Sequence, residues 1–284
     1  SVVIYKGKRN FWKMTKKLIC YTLDLEPDFG GRINSYSSLY DISYFQESIR
    51  KNKIKLTTFA AGHIFKRKPD VIKKLLDVGS EIELHSYSHN LERSNEEWEI
   101  KKSKTAYINY FRKKPLGYRS PKGMITKRGF RTLAKEGFKY DSSICPTLLP
   151  GRYNNLNFPI EPFYYKEFEL VELPFSVVPK IRIPLAMGYL QSLGLGISNN
   201  MINIFGLPNT IIFDFHLWNL YKPSNVKNLP LKWKVLLARN LDNGMKIFQN
   251  LIKLFRRNGY KSITMKELYN ISKNNLDDNK LIVY

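Results

Sequence analysis

Cysteine is nearly absent. Cys20 and Cys145, far apart, are the whole complement of a 284-residue chain. Two distant thiols make no disulfide framework, which excludes a small cross-linked scaffold. Read as two buried, small apolar residues, they favour a reducing compartment. Long apolar runs are missing as well. A membrane span needs roughly 18 uninterrupted apolar residues. The nearest stretch, 181–215, is broken by Pro184, Gly188, Gly194, Gly196, Asn199, Asn200 and Pro208. No basic–apolar–small leader pattern opens the sequence, which starts at Ser1 and not at Met. The expectation is a cytoplasmic protein, with peripheral contact to the inner membrane face as an option. Acidic residues are scarce: 24 Asp+Glu stand against 47 Lys+Arg, a net charge of +23. Such a field attracts polyanions or an anionic membrane surface. An AT-rich genome would equally enrich Lys, Asn and Ile together. Nucleic acid is not expected as a partner, because no recognisable nucleic-acid-binding module is present.

What is present is a globular composition, 43% hydrophobic and 14% aromatic, in a chain long enough for one sizeable core. Leu18 to Leu25 reads as a buried strand. Residues 39–52 read as an amphipathic helix with Leu39, Ile42, Phe45 and Ile49 on one face. Leu56 to Ala61 is the next strand. A helix follows from Pro69 to Val78, stopped by Gly79. Glu81 to Leu84 is a strand, and 94–114 a helix whose Ser94 and Glu97 form a capping-box pattern. Leu116 to Arg119 is a short strand. Thr126 to Gly137 is a helix capped by Thr126, and Phe138 to Ser142 a strand. Later strands are expected at Leu170–Val177 and Ile211–Phe215. Strands alternating with helices give βα units and a parallel sheet. The expected organisation is a basic N-terminal arm, 1–16, one folded domain, 17–270, and a C-terminal tail, 271–284.

Parallel sheets of this kind bind ligands at the carboxyl ends of their strands. Five separate segments place polar groups there: Asp24 with Glu26, His85 with His89, Arg119, Asp141 and His216. The central stretch is Glu83-Leu84-His85-Ser86-Tyr87-Ser88-His89. On a helical turn, positions i and i+4 share a face. Two imidazoles so placed suit zinc, nickel or cobalt better than calcium or magnesium. Two hydrogen-bonded loop histidines are the plainer alternative. Asp24, Glu26 and Asp28 alternate, so an extended backbone would put three like charges on one face. Either a cation holds them or they line a solvated acidic loop.

Taken together these segments resemble the polysaccharide deacetylases of the NodB-homology type, carbohydrate esterase family 4. Thr22-Leu23-Asp24-Leu25-Glu26-Pro27-Asp28 resembles the family's first motif, and His85-Ser86-Tyr87-Ser88-His89 its second. Arg119-Ser120-Pro121-Lys122-Gly123 resembles the third, Tyr140-Asp141-Ser142-Ser143 the fourth, and Phe213-Asp214-Phe215-His216-Leu217-Trp218 the fifth. The resemblance spans about residues 17–270 and implies a distorted (β/α)7 barrel. The commonest first motif has two adjacent aspartates. Here Leu25 stands second, as in an Asp-x-Glu-x-Asp subgroup.

The resemblance implies an amide hydrolase acting on an N-acetylated sugar or glycan. It implies one divalent metal, Zn2+ foremost with Co2+ or Ni2+ as alternatives, on Glu26, His85 and His89, with Asp28 as the fallback carboxylate. Asp24 is then the base that takes the water's proton. His216 gives a proton to the leaving nitrogen, and Arg119 holds Asp24 ionised and oriented. Asp141 orients Arg119 or tunes a histidine, and Pro121 and Trp218 contact the sugar. His63 matches no motif and is read as structural. A polyprenyl-linked or other membrane-associated glycan is the expected substrate, with 181–207 as an amphipathic flap near the membrane. A related hydrolase or deformylase on another amide, and a non-catalytic glycan-binding protein, are the alternatives.

Overall fold

A computed structural model describes residues 3–4, 16–33, 35–274 and 281–283. Most of the expected basic arm, 1–16, and half of the expected tail, 271–284, lie outside the described residues. The architecture rests on seven parallel strands: β1 (Leu18–Leu25), β2 (Leu56–Ala60), β3 (Glu81–Leu84), β4 (Gly117–Tyr118), β5 (Tyr140–Asp141), β6 (Leu170–Glu172) and β7 (Thr210–Phe215). They pair in the order β7-β1-β2-β3-β4-β5-β6, the curled sheet of a distorted (β/α)7 barrel. The helices are α1 (Ser43–Lys51), α2 (Ile64–Arg67), α3 (Pro69–Leu76), α4 (Glu97–Phe111), α5 (Lys127–Lys135), α6 (Met187–Leu193), α7 (Leu195–Phe205), α8 (Leu217–Leu220), α9 (Leu231–Leu237), α10 (Gly244–Arg257) and α11 (Met265–Lys273). Among the described residues no helix is long and apolar enough to cross a membrane.

The period of two along a strand separates the layers. In β1, Ile19, Tyr21, Leu23 and Leu25 pack into the large cluster shared with Phe45, Ile49, Phe248 and Leu251 of α1 and α10. Leu18 and Cys20 instead join Phe59, Tyr140, Val171, Ile212 and Met265 in a second cluster, the floor of the barrel. The same alternation continues upward with polar residues. Thr22 and Asp24 of β1 and Asp214 of β7 meet the Arg119 side chain. One register therefore builds an apolar floor below and a charged layer above.

Two local expectations change. Ser94 and Glu97 form no capping box. Helix α4 starts at Glu97 behind Glu96 with no side-chain cap, and Ser94 Oγ donates to Leu91 O. Neighbouring Asn95 ties this turn to the start of α5: it accepts from Thr126 N at 2.9 Å and donates to Met124 O at 2.8 Å. Thr126 does cap α5, accepting from Gly129 N at 3.2 Å. The segment 181–207 is no single flap. It forms α6 and α7, with Met187, Leu190, Met201 and Ile202 buried and Ile197 and Ile204 exposed.

Strands β6 and β7 share no ladder among the described residues, so the barrel is open there. Ser176 stitches the gap. Its Oγ accepts from Ile212 N at 2.7 Å and donates to Thr210 O at 3.2 Å. Ser176→Ala leaves a buried Ile212 N–H unpaired, which costs about 1–3 kcal/mol. Urea unfolding should show the lower midpoint with an unchanged slope.

At the tops of β5 and β6, Asp141 and Glu172 are register neighbours, both fully buried. Burial pushes Asp141 up to about 6. Burial, then Asp141, pushes Glu172 well above the usual carboxylate range. Folded values above the unfolded ones mean that the stability this pair contributes is present at low pH. It is lost as pH rises through about 6 and beyond. Glu172→Gln supplies the neutral form permanently. Its unfolding free energy should fall less steeply than the wild type's between pH 6 and pH 8.5; parallel falls would exclude a shared proton.

Candidate active site

The two central histidines converge, but not through a helical turn. His85 follows β3 directly. Residues 85–96 are irregular, with Ser86 (φ 57°) and His89 (φ 61°) in the left-handed region. That costs energy for residues with a Cβ, and the surroundings offset it. Glu99, buried on α4, accepts from Tyr87 N at 3.1 Å and from Ser88 Oγ at 2.7 Å. Tyr87 O takes a hydrogen bond from His63 Nδ1 at 2.7 Å, and Tyr36 OH donates to His63 Nε2 at 2.7 Å. Ser86 Oγ accepts from His89 N. His63 is therefore a strut of the histidine loop, in keeping with a structural role.

Against this loop β1 sets Glu26. Its Oε2 lies 3.4 Å from His85 Nε2 and in contact with His89 Nε2. Its Oε1 lies 3.4 Å from His216 Nε2 and accepts from Trp218 Nε1 at 3.3 Å. His85 Nδ1 donates to Arg119 O at 2.9 Å, so the Nε2 lone pair faces Glu26. His85 Nε2 and both nitrogens of His89 are buried without a hydrogen-bond partner. Orphaned imidazole nitrogens next to a carboxylate are costly in a dry interior and fit a divalent cation. Two donors each about 2.0–2.1 Å from one tetrahedral ion sit about 3.4 Å apart, which the His85–Glu26 separation matches and the closer His89–Glu26 contact does not. Two nitrogens and one oxygen suit zinc, cobalt or nickel. Burial depresses the His85 imidazole, but Asp24 and Glu26 together outweigh it and leave it raised. Burial opposes ionisation of Glu26, yet His89, His216 and His85 outweigh it and hold Glu26 well below the usual range.

Beside this group stands a second, Asp24, Asp214 and His216, with ligand atoms within 4.8 Å of one another. Arg119, fully buried, joins them. Its Nη1 donates to Asp24 Oδ1 at 2.8 Å, Asp214 Oδ1 at 3.1 Å and Thr22 Oγ1 at 2.9 Å. Its Nε donates to Ser142 O, and Phe59 and Phe175 flank the guanidinium at 4.1 and 4.4 Å. Asp24 and Asp214 share the one buried arginine, and Glu26 faces only imidazoles and an indole N–H, which leaves an excess of carboxylate charge for a metal to balance. Burial and then Asp24 push Asp214 up to about 7, against the pull of His216 and Arg119. His216 Nδ1 lies 3.1 Å from Asn219 Oδ1, which accepts its proton and turns Nε2 toward Glu26. Burial lowers His216, but Glu26, Asp214 and Asp24 raise it further.

Asp28, Asp141 and Trp218 are not deployed as the sequence suggests. Asp28 is committed to the turn Ser37–Leu39: its oxygens accept from Ser37 N at 2.8 Å, Ser37 Oγ and Ser38 Oγ, and it does not join the donor group. Asp141 makes no bond to Arg119. It accepts from Ser143 Oγ at 2.8 Å, and Ser143 Oγ accepts from Ser120 N at 2.7 Å, so Asp141 braces the Ser120–Gly123 turn. Trp218 is buried. His216 stacks on it at 4.5 Å and Phe29 packs at 5.1 Å, so it positions Glu26 and His216 and offers no open platform for a sugar. Pro121 is buried at the start of the turn Pro121–Gly123. Asp214, Glu99 and Asn219 went unassigned in the sequence. Asp214 alone had a signal, two positions before His216 on an inward-facing register.

A family model for polysaccharide deacetylase matches residues 14–140. The chain is 29% identical over 117 residues to the peptidoglycan deacetylase-like protein FGM2 of Gibberella zeae, covering 40% of this chain and 35% of that one. It spans about a third of the length of the curated relatives it matches. In fold it resembles a candidate polysaccharide deacetylase from Mycobacterium smegmatis (TM-score 0.59, 18% identity, 94% of each chain). It also resembles Puue allantoinase (TM-score 0.63, 14% identity, 93% of this chain and 92% of that one). The matched segment, somewhat under half of the chain, carries β1 with Asp24 and Glu26, the histidine loop and Arg119, so these residues lie in a region similar to the polysaccharide deacetylases, and the remaining strands complete the barrel around them.

Proposed function

We propose that the protein is a metal-dependent hydrolase that removes an N-acetyl group from a sugar. The observation that carries this reading is the buried Glu26–His85–His89 group with unpartnered imidazole nitrogens, flanked by Asp24 and His216. In this reading Glu26, His85 and His89 hold the ion, as in an Asp-x-Glu-x-Asp subgroup, and Zn2+ suits the donors best. When bound, such an ion polarises the acyl carbonyl and lowers the pKa of the attacking water.

The chain's own groups supply the rest. Asp24 gives Oδ1 to Arg119 and turns Oδ2 toward His85 Nε2 at 3.7 Å, free to accept a proton from water. Arg119 fixes that orientation through a charge-assisted bond. His216, its Nδ1 held by Asn219, presents Nε2 as the proton donor to the leaving nitrogen. Asp214 shares Arg119 and supports the charge on His216. Asp141 acts at a distance, through the Ser120–Gly123 turn.

The substrate in this reading is an N-acetylated glycan at a membrane surface, polyprenyl-linked or otherwise lipid-associated, handled in the cytoplasm. Its support is a net charge of +23 together with exposed apolar residues on α7 and α9: Ile197 (58%), Ile204 (71%), Leu231 (76%) and Val235 (66%). The same catalytic groups would serve another amide, which a substrate panel separates.

Acetate release from soluble N-acetyl-oligosaccharides and from N-acetyl-sugar lipid extracts, with and without chelator, tests the proposal. Chelator-sensitive release is expected, and Asp24→Asn should lower kcat by about 10²–10⁴-fold with little change in KM. Release that ignores both chelator and the Asp24 substitution would exclude the mechanism. No release from either class would exclude a sugar deacetylase.

A further inference from the structure

The mouth of the site carries three cations for which deacetylation itself has no use. Arg32 follows the turn Asp28–Gly31, donates to Phe29 O at 2.6 Å and lies 4.0 Å over the Trp233 ring. The point where Gly30 would carry a Cβ is 3.2 Å from Arg32 Nη1, 3.5 Å from Glu26 Oε1 and 3.6 Å from His89 Cε1. Arg32 thus stands at the edge of the Glu26–His85–His89 group, and Gly30, at φ 67°, lets the backbone pass between them. Lys122 occupies the turn Pro121–Gly123 in a left-handed conformation, φ 56°. The Cβ position of Gly123 is 2.8 Å from Ser143 O and 3.7 Å from Tyr153 OH, which sets the Lys122 turn against the segment bearing Arg152 and Tyr153.

The three feel one another. Burial and then Arg32 and Arg152 push the Lys122 ammonium down to about 8, against the pull of Glu26. Burial and then Arg152 lower Arg32. Among the described residues none of the three has a carboxylate within ion-pair distance, whereas Lys127 and Arg131 on α5 both reach Glu167. Three neighbouring cations with no carboxylate within ion-pair distance repel one another, more than Glu26 offsets at Lys122, and that repulsion is relieved when an anion enters.

We propose that Arg32, Lys122 and Arg152 form an oxyanion-binding rim beside the metal-ligand group, and that the substrate carries a phosphate or a carboxylate within about one sugar ring of its acetamido group. The second half rests on the deacetylase reading; the first does not. A neutral polysaccharide would leave the rim unused.

The test is calorimetric titration of the purified, metal-replete protein in its Asp24→Asn form, so that binding is read without turnover. The probes are inorganic phosphate, N-acetylglucosamine, its 1-phosphate, and an acetylated disaccharide bearing a uronate. At least one charged sugar should bind on the order of tenfold or more tighter than N-acetylglucosamine, and Lys122→Gln with Arg152→Gln should erase the difference. The tighter of the two charged sugars identifies the group. Lys73→Gln with Lys253→Gln removes the same charge from exposed positions on α3 and α10 and should preserve the preference. No preference in the parent, or a preference that survives in the Lys122/Arg152 variant, overturns the rim. The second result would place the anion on the metal instead. Phosphate binding that depends on Lys122 and Arg152 in a protein releasing no acetate would keep the rim and reject the deacetylase.

Discussion

The buried Arg119 guanidinium is the constraint on which the site depends. Its side chain binds Thr22 and Asp24 of β1, Asp214 of β7 and Ser142 beyond β5, while its own carbonyl orients His85. One residue thus ties four segments of the sheet to the ligand geometry. A fully buried cation is tolerated only when paired, and breaking such a pair costs about 3–5 kcal/mol. Asp24 and Asp214 are therefore structural counter-ions as well as chemical groups. Losing both would strand charge in the centre of the barrel, whereas Asp24→Asn leaves Arg119 paired with Asp214.

The same centre explains the excess of negative charge. Asp24, Glu26 and Asp214 are brought inside by the alternation of β1 and β7, and one arginine cannot balance all three. Asp214 responds by moving up to about 7. A divalent cation beside Glu26 would complete the balance and occupy the unpartnered nitrogens of His85 and His89. Farther out the sign reverses: Arg32, Lys122 and Arg152 ring the mouth. An inner negative layer under an outer positive rim suits a cation below and an anionic substrate group above.

Much of the fold was legible because parallel strands of an α/β barrel are read from apolar runs and their flanking turns. β1 spans Leu18–Leu25 as the sequence suggests, and β7 ends at Phe215 with His216 next. The joining of Asp24, Glu26, His85, His89, Arg119 and His216 followed from strand ends meeting at one rim. The i, i+4 spacing of the histidines was misleading about backbone. It suggested a helical face, where the loop uses two left-handed residues braced by Glu99 and His63. That bracing comes from residues 11 or more positions away, which local spacing cannot encode. The Ser94–Glu97 pattern failed similarly, because Asn95 is claimed by Met124 and Thr126. Asp141 and Trp218 sat at the right rim but one layer out, holding other residues in place.

The central claim is that Glu26, His85 and His89 hold one divalent ion. Metal analysis of the purified protein and of Glu26→Gln and Asp28→Asn variants, with folding checked by circular dichroism, tests it most directly. The account predicts about one equivalent in the parent and in Asp28→Asn, and near-complete loss in folded Glu26→Gln, a tetrahedral site reduced to two protein donors. A full equivalent retained by Glu26→Gln, or lost only with Asp28, would contradict it.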